Sequence, residues 1–221
     1  MKGLYWIVFG DMHGQTGNVA RIPGIREAEG VIISGDLTNH GGPDEVMAVV
    51  EAVRRVNSRV LAQIGNMDKP AADQALFDAG LNLHRAGLEL APGLGIMGVG
   101  YSTPTPFNTP SEAKEDVIAE WLRETHKLIN DCERLVLVSH TPPHGTATDV
   151  IGTGAHVGST SVRQFIERVQ PELCITGHIH ESRAEDVIGK TRILNHGVLA
   201  EGGYVRLIWD GGDVAATLES M

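Results

Sequence analysis

Cysteine is nearly absent from this 221-residue chain: Cys132 and Cys174 are the two present, far apart and in no CxxC pair. That excludes a disulfide scaffold and a thiolate zinc centre, and it points to a reduced, cytoplasmic setting with Cys174 in ELCIT as a small core residue. Positive charge is also scarce, with 18 Lys and Arg against 28 Asp and Glu and a formal net charge of -10. A surface of that sign repels a phosphate backbone, so duplex DNA is excluded as a partner. No apolar run approaches the ~20 residues that cross a bilayer. The opening run, LYWIVFG, stops at Asp11 with no small-residue cleavage site after it, which argues against a signal peptide. A soluble protein with no membrane partner is expected. Aromatic residues make up 5% of the chain, and Trp6, Trp121 and Trp209 read as packing residues rather than base-stacking platforms.

What the chain does have is a 42% hydrophobic share, enough for one substantial core, so residues 1–221 are expected to form a single domain. Short apolar runs recur and end at polar chemistry: LYWIVFGD, GVIISGD, RVLAQIGN, LGIMGVG, RLVLVSH and ELCITGH. Their length and β-branched content predict buried strands. Between them, GGPDEVMAVVEAVRRV and TPSEAKEDVIAEWLRETHKLI carry helical periodicity with Pro or acids at their starts, and GSTSVRQFIERVQ is a third helical segment. The alternation predicts a layered α/β fold with partly parallel strands. The tail differs, because IGK and DGGD turns join strand-like segments into antiparallel hairpins. The Pro- and Thr-rich YSTPTPFNTPSE is an irregular loop, either the rim of a pocket or a connector stiffened by proline.

In open α/β sheets ligands bind beyond the carboxyl ends of the strands. The residues at those ends are Asp11 and His13, Asp36, Asn66, His140, and His178 and His180. Any one Asp or Asn there is more often a turn former or cap. Four histidines are not explained that way, since His is neither a favoured turn residue nor a favoured cap. An oxygen- and nitrogen-rich set without thiolate suits Mn, Fe, Co, Ni or Zn. Seven side chains exceed what one tetrahedral ion takes, and they suit two ions sharing a bridging carboxylate, which can clamp a phosphoryl group.

The ordered motifs D-x-H, G-D, G-N-x-D, H and G-H-x-H, running from residue 11 to residue 180, resemble those of the calcineurin-like metallophosphoesterases. Within that family STPTPFNTP, HTPPHGT, HVGS and GHIHES look closest to small prokaryotic phosphoesterases. The resemblance implies a two-sheet β-sandwich flanked by helices, a four-layer αββα architecture. It implies Asp11, His13 and His180 on a first divalent metal, Asn66, His140 and His178 on a second, and Asp36 bridging, with Mn expected first and Fe, Zn, Ni or Co as alternatives. The activity implied is hydrolysis of phosphodiesters or activated phosphate esters by a metal-bound hydroxide. The substrate would be a small phosphate ester such as a nucleotide, and a homo-oligomer is compatible with the sequence.

One residue departs from the pattern. Many members carry His where this chain has Met67, with Asp68 as that imidazole's orienting partner, and Met has no proton to give. Loss of a general acid slows poor leaving groups by ~10²–10⁴-fold. Candidates to fill the role are His156, whose neighbouring glycines and Ser159 could bring N–H groups to a phosphate, and His40, just past Asp36. His144, which follows His140 as His156 does, either meets the substrate or is simply exposed; His84 and His126 are expected to be surface residues, and Arg21 and Arg26 either to contact substrate or, more simply, to be solvated. His196 stands where Pro is usual, beside Asn195, a candidate ligand support. The competing reading is a catalytically weak scaffold or interaction protein on the same fold, as in a relative with Phe at the Met67 position. Retention of every His ligand weighs against it.

Overall fold

The computed structural model describes residues 3–221. Two mixed sheets lie face to face with helices on both outer faces, the four-layer arrangement expected. The first sheet holds β1 (Leu4–Phe9), β2 (Gly30–Ile33), β3 (Val60–Ala62), β10 (Gly203–Trp209) and β11 (Val214–Ser220), in the order β11-β10-β1-β2-β3. The second holds β4 (Gly87–Ala91), β5 (Leu94–Val99), β6 (Arg134–Ser139), β7 (Leu173–Thr176), β8 (Glu185–Ile188) and β9 (Thr191–Asn195), in the order β4-β5-β6-β7-β9-β8. Strands β1, β2 and β3 run parallel, as do β5, β6, β7 and β9. Their carboxyl ends therefore open at common edges, where the polar motifs follow.

Three apolar layers hold the sandwich together, and β1 shows why its sequence is continuously hydrophobic. Trp6 and Val8 join the layer between the sheets with Ile32, Ile96, Val136 and Ile175. Ile7 and Phe9 join the layer under α1 (Pro43–Arg54) and α2 (Ala71–Asp78) with Val46, Val50, Val53 and Leu76. Beyond the second sheet, Leu137 and Cys174 pack with residues of α3 (Glu115–Lys127) and α4 (Thr160–Val169), including Leu122 and Phe165. A strand buried on both faces has no polar alternation to show. Cys174 is a core residue, its thiol pushed up to about 12 by burial.

Helix α1 begins at the expected Pro43, whereas α3 begins at Glu115 behind Lys114 without a side-chain cap, keeping only the acidic first turn expected of it. Gly42 caps α1 with Pro43 in the first turn, and the Glu45 carboxylate accepts the Gly42 N–H at 2.9 Å. Ser159 caps α4, its Oγ accepting from the Val162 N–H at 3.1 Å. Both C-terminal hairpins form, β8 with β9 and β10 with β11. They serve different sheets: β9 adds to β7 in parallel, whereas β10 pairs antiparallel with β1.

His84, expected on the surface, is buried instead. Its Nδ1 accepts the Gly100 N–H at 3.0 Å, and the ring lies edge-on to Trp121 with centroids 4.8 Å apart. Burial, with the Arg85 charge behind it, lowers its pKa to about 3. An unfolded imidazole takes up a proton below about pH 6.5 that the folded one refuses until about pH 3. Stability therefore falls as pH drops through that window, by on the order of 5 kcal/mol over its full width. His84→Asn keeps an acceptor for Gly100 and removes the titration. Its urea-unfolding free energy should decline less between pH 6.5 and 4 than that of the wild type, and equal slopes would contradict this assignment.

Candidate metal centre

Each sequence-selected ligand follows a strand end. Asp11 and His13 come after β1, Asp36 after β2, Asn66 after β3, His140 after β6, and His178 and His180 after β7. The turns that carry them are tight: Asp11 (φ 49), His13 (φ 49), Asp36 (φ 50) and His178 (φ 66) all adopt the left-handed region. Non-glycine residues hold it at a cost of about 1 kcal/mol or more each, and only where surrounding contacts over-determine the backbone. Those contacts are present. The N–H groups of Asp11 and Met12 donate to Gly35 O (3.0 Å) and Asp36 O (2.8 Å), and the His178 N–H lies 3.1 Å from Asp11 Oδ2.

The side chains converge into two donor groups, Asp11, His13, Asp36 and His180 in one and Asp36, His140 and His178 in the other. Asp36 belongs to both. Asn66 joins the second group, its Oδ1 lying 3.0 Å from His140 Nε2, which is itself 3.4 Å from Asp36 Oδ1. The Asn66 amide is oriented from behind, since Nδ2 donates to Thr109 Oγ1 at 3.0 Å. His13 is oriented in the same way: its Nδ1 donates to Asn39 Oδ1 at 2.9 Å, which leaves Nε2 a bare acceptor 3.2 Å from His180 Nε2. Inward-facing lone pairs of this kind fit a divalent cation, and the oxygen and nitrogen donors suit a first-row transition ion.

The electrostatics agree with that fit. Burial opposes charge on His140, yet Asp36 first, then Asp11 and Asp68, raise its pKa to about 9. A hydrogen bond to Asp11 raises that of His180. Burial favours protonation of Asp11, but the His180 hydrogen bond and the surrounding imidazoles hold the carboxyl well below the usual range. His178 goes the other way, lowered to about 4 by burial and by His140, and is a neutral imidazole at pH 7. Fixed carboxylates thus hold positive charge where a cation would supply it.

Backbone packing makes Gly65 essential. A Cβ there would lie 2.6 Å from His140 Nε2 and closer still to the Asp36 backbone N and carboxylate. Asp68, expected as a partner for a catalytic imidazole, instead ties the loops together. It is fully buried and accepts from the N–H groups of Leu37 (3.1 Å), Thr38 (2.8 Å) and Gly65 (3.0 Å) and from Thr38 Oγ1 (2.7 Å). Burial, then the neighbouring Asp36, raises its pKa to about 6, against the opposing pull of its hydrogen bonds from Thr38 and Gly65.

The two imidazoles proposed to replace the missing acid part company. His40 lines the cleft over the metal-ligand cluster, and its N–H donates to the Met67 carbonyl at 2.7 Å, which sets it beside the substituted position. His156 does not line that cleft. Its Nδ1 is 2.7 Å from the buried Asp149, which also accepts from Gly145, Thr146 and Gly158 N–H groups and so fixes the turn. Ser159 and its neighbours are likewise committed elsewhere: the Glu115 carboxylate takes the Thr160 and Ser161 N–H groups and the Ser159 hydroxyl. An anion already occupies the start of α4. His144 is half-exposed, 3.6 Å from Asp149, and His126 packs edge-on to Phe165. Arg21 and Arg26 are exposed.

His196 is wholly buried behind Asp11, with Nδ1 donating to Gly197 O and Nε2 accepting from Ser34 Oγ, each at 2.6 Å. Asn195 braces the ligand loop, its Nδ2 donating to Ile179 O at 2.9 Å between His178 and His180. Asn39, Ser34 and Thr109 carry no signal of their own in the sequence. Each is a common loop residue whose role comes only from what it meets across the fold.

The predicted rim loop is present. Residues 103–109 form one wall of a cleft of about 1010 Å³ whose floor includes His13, Asp36, Asn66 and Met67. The loop is stitched to the ligand turn, with the Ser111 N–H donating to Asn66 O (3.0 Å) and Ser111 Oγ to Asp68 O (2.6 Å).

Paired acid and imidazole donors at the edge of such a sandwich define a metallophosphoesterase architecture. A family model described as calcineurin-like phosphoesterase matches residues 6–182, and the chain belongs to that family. It is 34% identical over 198 residues to the uncharacterized protein MJ1162 of Methanocaldococcus jannaschii, covering 84% of each chain. Among solved structures, TT1561 of Thermus thermophilus matches with a TM-score of 0.73 at 16% identity, over 98% of this chain and 99% of that one. A dimetal phosphatase from Danio rerio matches with a TM-score of 0.66 at 11% identity, over 100% and 97%. At these identities both likenesses are of fold. The family match ends at residue 182, but β10 lies directly beside β1, so the tail completes the first sheet.

Proposed function

We propose that this chain is a dinuclear metal-dependent phosphoesterase acting on small phosphodiesters or activated phosphate esters, with manganese the preferred ion. The observation that carries the reading is the membership of Asp36 in both donor groups. Asp11, His13 and His180 would hold one ion, Asn66, His140 and His178 the other, and Asp36 both. Bound there, the two cations would acidify water and neutralise charge developing on the phosphoryl oxygens.

The chain's own contribution is orientation and proton handling. Asn39 and Thr109 fix the donor faces of His13 and Asn66. Asp68 holds the Asp36 and Asn66 loops in register through four hydrogen bonds. At the position beside Met67, His40 is the group able to give a proton to a leaving oxygen. Its exposed place on a loop makes it a weaker acid catalyst than a residue fixed in the turn itself. Aryl leaving groups, which need little protonation, should therefore react well and simple alkyl monoesters poorly.

With Mn²⁺-reconstituted protein, aryl diesters should turn over fastest in a panel that includes aryl monoesters, cyclic nucleotides and sugar phosphates. His40→Ala should slow alkyl diesters by about 10-fold or more and aryl diesters much less. Folded, metal-loaded protein that turns over none of these esters would favour the scaffold reading instead.

A further inference from the structure

The walls of the cleft bear on which ester enters it, and this inference rests on the phosphoesterase reading. Above the ligand cluster the cleft is mainly apolar, lined by Met67, by Pro104, Pro106 and Phe107 of the rim loop, and by Ile151 and Val157 of a separate turn. Among the described residues no lysine or arginine lines it, and Glu181 stands at its edge. At about 1010 Å³ it has room for a sizeable group besides one phosphate. A second phosphate or carboxylate on the substrate would meet no fixed cation from those walls, and a carboxylate would face it.

Both walls are held in place. Phe107 is 82% exposed, yet its turn is fastened at the base, where Glu112 Oε1 accepts from Thr105 Oγ1 (2.6 Å), Thr109 Oγ1 (2.7 Å) and the Thr109 N–H (2.8 Å). Thr109 in turn holds the Asn66 amide, so the rim and the ligand share one support. Across the cleft, Ile151 and Val157 lie on the turn that Asp149 anchors through His156 and Gly158. The Ile151 N–H donates to Ala155 O at 3.0 Å and the Val157 N–H to Asp149 O at 3.0 Å. The glutamate edge is engaged as well, the Gly152 N–H donating to Glu181 Oε1 at 3.2 Å. Phe107 is thus an exposed ring at the cleft rim, on a turn fastened beneath it.

We propose that the non-reacting arm of the substrate is an uncharged aromatic group, received between Phe107 and the Ile151–Val157 wall. The site then selects singly charged diesters with such an arm and discriminates against substrates carrying a second anion. Burial of the ring supplies the preference, and the lack of lysine and arginine in the walls together with Glu181 supplies the rejection.

The test holds the leaving group constant by using methyl, benzyl and 4-carboxybenzyl esters of p-nitrophenyl phosphate with the Mn²⁺-loaded protein. The kcat/KM for the benzyl ester should exceed that for the methyl ester by about 10–100-fold. The 4-carboxybenzyl ester should fall at least 10-fold below benzyl, as roughly expected for an unpaired charge against an apolar wall. Phe107→Ala should shrink the benzyl-to-methyl ratio severalfold, and Phe107→Lys should narrow or reverse the penalty on the carboxylate. Calorimetric binding of benzylphosphonate and methylphosphonate provides a readout independent of turnover, and benzylphosphonate should bind more tightly by a similar factor. Equal rates for the three esters, or a preference for the carboxylate, would overturn the proposal. If no ester turns over, the phosphoesterase reading fails, and the ratio of phosphonate affinities alone decides the arm preference.

Discussion

Met67→His should raise kcat/KM for alkyl leaving groups by about 10²-fold or more, within the range of general acid catalysis, while changing nitrophenyl esters by a few-fold at most. The thioether borders the cleft floor, and the Met67 backbone N–H donates to Asp36 Oδ1 at 2.8 Å, so position 67 reports directly on the shared carboxylate. An imidazole there is the group that the family resemblance leads one to expect. It would sit on the tight 65–68 turn held by Asp68 rather than on the exposed His40 loop. The gain should grow further in a His40→Ala background, because the imidazole at position 67 then has no second acid to share the task. Parallel rate measurements on matched alkyl and aryl diesters check this, and an equal change for both classes would show that protonation is not what the position governs.

Asp36→Asn should lower turnover of the best aryl diester by about 10²–10³-fold or more, the size of effect that follows loss of a preorganised charge-stabilising group. The protein should remain folded, because an amide oxygen can still accept the Met67 N–H. Circular dichroism and thermal unfolding close to wild type, alongside the activity loss, would place the effect on the site. Wild-type activity in a folded Asp36→Asn variant would remove this residue from the mechanism.

The parts of the fold legible in the sequence were those with a local cause. Strands such as RLVLVS are buried on both faces and read as unbroken apolar runs, and Pro43 marks a helix start because its fixed φ and missing N–H suit the first turn; Ser159 caps α4, a role its glycine-rich surroundings do not announce. The helix Ala71–Asp78 escaped notice because it spans eight residues with two buried side chains, Ala72 and Leu76, too few for a periodic stripe. The edge strand Gly87–Ala91 is mostly exposed and owes its pairing to β5.

The same division applies to the site. The ligand residues stood out because histidines after strands have no turn or cap role to explain them. Asp68 and His156 were given chemical roles from neighbours in sequence, but their partners are set by the fold: four donors from two loops for Asp68, and Asp149 for His156. His84 was placed on the surface because it lies outside every motif, whereas a half-buried aromatic cluster with Tyr101 and Trp121 encloses it. The rim loop was recognisable from its prolines. What it offers, an exposed Phe107 on a braced turn and cleft walls with no lysine or arginine among the described residues, could be seen only once both walls were in place.

The measurement that bears most directly on this account is a manganese titration of metal-stripped protein, followed by calorimetry and by electron paramagnetic resonance. Two ions per chain should bind, and at saturation their spectrum should show the magnetic coupling of neighbouring ions joined through one carboxylate, lost in Asp36→Asn. Saturation with no bound ion, or with isolated uncoupled ions that Asp36→Asn leaves unaffected, would contradict it.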